Sequence, residues 1–182
     1  MIRTIASLCA AGLAVPAAGQ LIFSGVGGVI PDDGGPGNPL SSTITVTDDF
    51  SIADVSVNLL DLNHTFVGDL IITLSNGSTS VELINQAGVP DFSGFGWAYN
   101  LDGDYTYSDD GTITWDTVNG GVQDTDFLVP SGTYAPEGAL SAFDGLSSAG
   151  SWTLSISDNA GLDTGDLGGW ELSLTPVPAP GS

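Results

Sequence analysis

The chain holds one histidine, His64, one cysteine, Cys9, and one basic residue, Arg3. A serine-hydrolase site needs a histidine beside a nucleophilic serine and an orienting acid, with an oxyanion hole. Around His64 there are many Ser and Asp, but no Gly-x-Ser-x-Gly elbow or other nucleophile signature. A packing and hydrogen-bonding role is therefore expected for His64, and no catalytic residue is assigned. A single cysteine near the N-terminus gives no disulfide and no thiolate metal site.

The acidic residues offer more. Of the 22, 19 are Asp and three are Glu (Glu82, Glu137 and Glu171). Asp suits turns, because its short side chain bonds nearby backbone amides, and it is a short-reach calcium ligand. Calcium takes six to eight oxygens from carboxylates, carbonyls and water. The Gly-containing run Asp158-Asn159-Ala160-Gly161-Leu162-Asp163-Thr164-Gly165-Asp166 can supply several at once, so Asp158, Asp163 and Asp166 are candidate calcium ligands. Asp109 and Asp110 form a second candidate, since paired carboxylates on a turn repel unless a cation or solvent screens them. Ordinary Asx-turn chemistry is the alternative at both places.

Aromatic residues are the third group. Trp152 and Trp170 open alternating apolar runs and are expected in a core. Trp97 and Trp115, with Tyr99, Tyr105 and Tyr107, lie in a loop-rich middle. Either they pack a long loop onto a sheet, or Trp97, Trp115 and Tyr105 are exposed to stack on sugar rings.

The charge balance removes whole classes of partner. The formal net charge is −21, and Arg3 alone is basic. Nucleic-acid binding rests largely on Lys and Arg neutralising phosphates, so DNA and RNA are excluded. The same argument excludes an anionic membrane surface.

These residues must be positioned by β structure. Val55, Val57 and Leu59 alternate with small or polar residues, as do Leu70, Ile72 and Leu74, Val81 and Leu83, Trp152, Leu154 and Ile156, and Trp170, Leu172 and Leu174. That period of two marks strands with one buried face. Asn76-Gly77, Asp110-Gly111 and Asn119-Gly120 supply turns between them. Short strands with turn signals between them predict an all-β sandwich or barrel.

The flanks read differently. Arg3, the apolar run Ile5–Val15 and the small residues after it have the layout of a secretory signal peptide over residues 1–20. The apolar run is too short to span a bilayer, so no membrane span is expected in the mature chain. Residues 21–41, rich in Gly, Pro and Asp, are expected to form a flexible leader. A sandwich domain is expected over 42–175 and an extended Pro-rich tail over 176–182. The tail is similar to the opening of the bacterial sorting signal called PEP-CTERM, without its hydrophobic helix and basic cluster; a truncated signal and a linker stub both fit.

Three blocks carry a family resemblance. The first is Leu62-Asn63-His64-Thr65-Phe66-Val67-Gly68-Asp69-Leu70-Ile71-Ile72-Thr73-Leu74-Ser75, followed by Gly77-Ser78-Thr79. The second is Asp104-Tyr105-Thr106-Tyr107-Ser108-Asp109-Asp110. The third runs from Tyr134-Ala135-Pro136 through Gly150-Ser151-Trp152 to Asp163-Thr164-Gly165-Asp166-Leu167-Gly168-Gly169-Trp170. In this order they resemble the P domain (P/Homo B) of proprotein convertases, with an added hairpin-like piece at 112–116. The resemblance implies a jelly-roll β-sandwich of about eight strands, galactose-binding-domain-like. In convertases such a domain follows a subtilisin-like protease and stabilises it; in bacteria similar domains also stand alone on the surface. The expected function is a non-catalytic secreted or cell-surface module, structural, adhesive or interacting with a protein or glycan. An accessory domain of a subtilisin-like serine protease and a carbohydrate-binding module are the alternatives.

Overall fold

A computed structural model describes residues 19–77, 79–89 and 94–179. The expected signal peptide falls almost entirely outside the described residues. Nine strands are described: β1 (Leu21–Ile30), β2 (Leu40–Val46), β3 (Ile52–His64), β4 (Leu70–Asn76), β5 (Thr79–Asn85), β6 (Leu101–Ser108), β7 (Gly132–Tyr134), β8 (Gly150–Asp158) and β9 (Gly165–Pro176). Only short 3-10 turns interrupt them. No helix among the described residues is long and apolar enough to cross a membrane.

The strands form two sheets, ordered β1-β9-β3-β6-β7 and β2-β8-β4-β5. All pairings are antiparallel except β6 with β7. The alternating residues behave as their period requires. Val55, Val57, Leu59, Leu172 and Leu174 from one sheet join Ile72, Leu74, Leu154 and Ile156 from the other in one buried cluster, with Trp152 and Trp170 among its largest members.

The segment 21–41 corrects an expectation. It is not a flexible leader: its first ten residues are the edge strand β1, in register with β9 from Leu21 opposite Leu174 to Ile30 opposite Gly165. The glycines there serve close approach. A Cβ at Gly25 would collide with the Trp170 ring, and one at Gly27 with the Leu167 backbone. Two hydrogen bonds complete the seam: the Trp170 indole N–H donates to Ser42 Oγ (2.9 Å), and the Ser42 hydroxyl donates to the Val26 carbonyl (2.6 Å). Strand β1 brings the described count to nine against the expected eight or so. At the other end β9 continues to Pro176, and the Val177 amide still donates to Ser51 O (2.8 Å).

One irregularity sets what faces inward near the site. Along β3 the buried positions are Val55, Val57 and Leu59, then Leu62 and His64, so the parity changes. Leu60 and Asp61 together oppose one residue of β6, a bulge in which Asp61 has φ +48° and its amide donates to Asp104 Oδ1 (2.9 Å). Strand β9 changes parity alongside, from Trp170 to Leu167, across Gly168 and Gly169. A Cβ at Gly168 would meet the Asp61 side chain. Without the extra residue, His64 would face solvent.

Because β1 is part of the sandwich, Gly27→Ala should lower the unfolding free energy by about 1–3 kcal/mol, the usual cost of overpacking. Urea denaturation measures it, and an unchanged midpoint would restore the flexible-leader reading.

Candidate functional site

At one end of the sandwich β3 finishes, β4 begins, β8 finishes and β9 begins. The pairing register puts Leu70 opposite Asp158, and His64 opposite Gly165. A short 3-10 turn, Val67–Asp69, links β3 to β4 and holds Asp69 against the last residues of β8. The Asn159 backbone amide and side-chain amide both donate to Asp69 O at 2.9 Å. The β1–β2 connection closes the same end: Gly35 N donates to Asp158 O (2.8 Å), and Leu162 N donates to Asp32 Oδ1 (3.2 Å).

His64 and Asp158 are fully buried, with His64 Nε2 3.3 Å from Asp158 Oδ2. A carboxylate only accepts, so Nε2–H donates to it; Nδ1 lies against the Phe66 backbone, 3.0 Å from its carbonyl oxygen and 3.1 Å from its amide nitrogen. Asp158 Oδ1 accepts from the Ala160 amide (3.2 Å). Both ring nitrogens are therefore engaged by Asp158 and the Phe66 backbone, and no described hydroxyl bonds to either. The arrangement orients and anchors the strand ends.

The candidate calcium residues separate. Asp158 and Asp163 lie at this end, where Asp163 Oδ1 accepts from the Thr65 hydroxyl (2.7 Å). Asp166 is exposed on β9, opposite Asn63, and is not among the carboxylates acting on Asp69. Asp109 is committed elsewhere: its Oδ1 accepts from Leu140 N (2.7 Å) and its Oδ2 from Ser141 N (2.8 Å), at the start of the 3-10 turn Leu140–Phe143. Asp110 is exposed beside it. Among the described residues no three His, Cys, Asp or Glu side chains are already gathered closely enough to hold a metal ion.

Two residues of this end escaped the sequence reading, Asp69 and Asp32. Asp69 is 6% exposed, and among the described residues its carboxylate receives no hydrogen bond. Burial pushes its pKa from 3.8 to about 7, and the charges of Asp158, Asp163 and Asp32 push it the same way. The Gly-Asp-Leu motif holds Asp69, which could have flagged it; Asp32 was hidden in the supposed leader.

The aromatic candidates are a correction. Trp97, Trp115 and Tyr105 are 4%, 2% and 0% exposed, so they cannot stack on a sugar. Trp97 stacks on Tyr99 (5.2 Å between centroids) and Trp115 on Tyr134 (5.4 Å). Tyr105 meets Tyr134 edge-on, and its hydroxyl donates to Val129 O (2.9 Å). These rings are members of the same buried cluster as the strands of the two sheets.

The geometry is that of a two-sheet β-sandwich whose histidine and nearest acid are used inside the fold. The chain belongs to the proprotein convertase P-domain family, whose model matches residues 52–174. The match starts at β3, so β1 and β2 lie outside it. Among solved structures, the serine protease of Aeromonas sobria is similar at 17% identity with a TM-score of 0.49, over 92% of this chain and 28% of that one. The structure of that protease with the chaperone ORF2 is similar at 16% identity and TM-score 0.49, over 90% and 28%. This chain thus spans little more than a quarter of those proteins. No curated protein matches it.

The raised Asp69 pKa makes a stability prediction for the chain in chelator. A carboxyl held above its unfolded value of 3.8 stabilises the fold fully below that pH, and this contribution is lost as pH rises through about 7. The facing groups are Asp158, with its partner His64, Asp163 and Asp32. Asp69→Asn cannot ionise, so its stability relative to wild type should grow by about 2–4 kcal/mol between pH 4 and 8. Denaturation at a series of pH values reads this, and parallel curves for the two proteins would refute it.

Proposed function

We propose that the chain is a non-catalytic extracellular interaction module that works with a subtilisin-like serine protease. The observation that carries this reading is the P-domain family match over the sandwich. The hydrogen bonding supports it: His64, the residue a hydrolase would need, is fully buried with both nitrogens engaged by the fold. The Arg3-led N-terminal layout supports export.

The charge says what such a partner must offer. Beyond Arg3 there is no Lys or Arg, so every ion pair across an interface must use the partner's cations against this chain's carboxylates. Association would be steered by that field and would weaken as salt screens it.

The test mixes the purified chain with the catalytic domain of a subtilisin-like protease secreted by the same source. Size-exclusion chromatography should find a complex at low ionic strength, and the protease should keep its activity longer on warming. The affinity should fall about tenfold or more between 50 and 300 mM salt. The chain alone should not hydrolyse casein above blank. Absence of a complex at low salt would refute the protease partnership, and hydrolysis by the chain alone would refute the non-catalytic role.

A further inference from the structure

Strand β1 forms one edge of the five-stranded sheet and pairs only with β9. Among the described residues its one backbone hydrogen bond on the other side is at Val26 O, which accepts from the Ser42 hydroxyl (2.6 Å). That carbonyl therefore points away from β9, and by alternation so do the backbone groups of Ile22 and Ser24. The side chains of these three residues stand on the outer face of the sheet, because Leu21, Phe23 and Gly25 lie beside the buried Leu174, Leu172 and Trp170. Ile22 is 58% and Val26 78% exposed.

Edge strands are ordinarily protected by charge, by proline or by brevity. At the far edge of this sheet β7 is three residues long. Strand β1 is ten residues long, and LIFSGVGGVI holds neither a charge nor a proline. A row of free amides and carbonyls is met by another extended strand. A foreign protein that recognises this acidic chain would do so through cations, and β1 gives cations nothing to bind. A second copy brings the same neutral strand.

We propose that β1 pairs antiparallel with β1 of a second copy, joining two sheets into one across a two-fold axis. The register follows from the side chains. With Ser24 opposite the second copy's Ser24 on the axis, Ile22 of each copy stands opposite Val26 of the other. These are all outward-directed residues, so each pair exchanges two backbone hydrogen bonds. On the outer face two serine hydroxyls meet and two Ile–Val pairs form, combinations that stabilise adjacent strands. An axis moved to Gly25 would set Ser24 against Val26 and Ile22 against Gly28, losing both matches. Val26 O keeps its bond from Ser42, since a carbonyl has a second lone pair.

The charge of the chain sets the salt dependence. The nearest acid in the central row is Glu171, opposite Ser24 on β9. It lies three strand spacings, about 14 Å, from its counterpart across the axis. That exceeds the screening length of about 8 Å at physiological salt. Salt should strengthen this association, the reverse of its effect on the protease complex.

The experiment is sedimentation equilibrium of the full chain over a concentration series reaching about 0.5 mM, at low and at roughly 300 mM sodium chloride. A monomer–dimer equilibrium is expected, at least threefold tighter at the higher salt. Ser24→Pro removes the outward N–H on the axis without touching the pairing to β9, and should weaken the dimer tenfold or more. Should that variant fail to fold, Ser24→Asp supplies the test, because it sets two carboxylates face to face with a similar loss. Val122→Asp, in the loop between β6 and β7, should dimerise as wild type does. A chain that stays monomeric throughout the series would overturn the proposal, and so would a dimer undiminished in both Ser24 variants. Hydrogen exchange at the Ser24 amide covers the other occupant: protection that arises only on mixing with a protease, and never with concentration, would overturn it in favour of a foreign strand.

Discussion

Nineteen aspartates and three glutamates have to fold here without one lysine or arginine beyond residue 3. Most of the acids solve this by staying in water, and several by accepting backbone amides. Asp109 takes the amides of Leu140 and Ser141, Asp104 that of Asp61, and Asp124 that of Asp126. Such bonds satisfy a carboxylate with neutral donors and fix a turn at the same time. The difficulty is concentrated where acids are buried. Asp158 has His64, and the charges that act on Asp69 are all those of other acids.

Backbone geometry decides which residues meet there. The bulge at Leu60 and Asp61 turns His64 inward, and the glycine pair in β9 lets the neighbouring strand follow. Register then places Asp158 opposite Leu70, one residue from Asp69. A strand of unbroken alternation would have buried Asn63 in place of His64, and Asp158 would then lack its partner. The site's electrostatics therefore follow from a single extra residue in β3.

Much of this architecture is legible locally. The period-two runs predict β3, β4, β8 and β9 because each has one face in a common core. The three motif blocks identify the family from residues that the fold places on β3, β4 and the strands from β6 to β9. Other features depend on partners far away in sequence. Glycines at 25 and 27 read as flexibility, yet they are dictated by the Trp170 ring and the Leu167 backbone some 140 residues later. Whether Trp97 and Trp115 are exposed depends on how the 94–134 segment lies against Tyr99 and Tyr134. Asp69 is ordinary in sequence; only the folded chain brings Asp158, Asp163 and Asp32 around it.

A buried histidine paired with an aspartate supplies two of the three groups of a hydrolytic triad, so the distinction between the two must be physical. In a triad the imidazole nitrogen opposite the acid faces a nucleophile and a substrate. Here that nitrogen, Nδ1, faces the Phe66 backbone, and the ring is fully buried. The pair links the end of β3 to the end of β8, which belong to different sheets. With its histidine used as a strut between the two layers, the chemistry left to the chain lies in its carboxylates and its surface. That fits a non-catalytic domain of this family better than bond cleavage does.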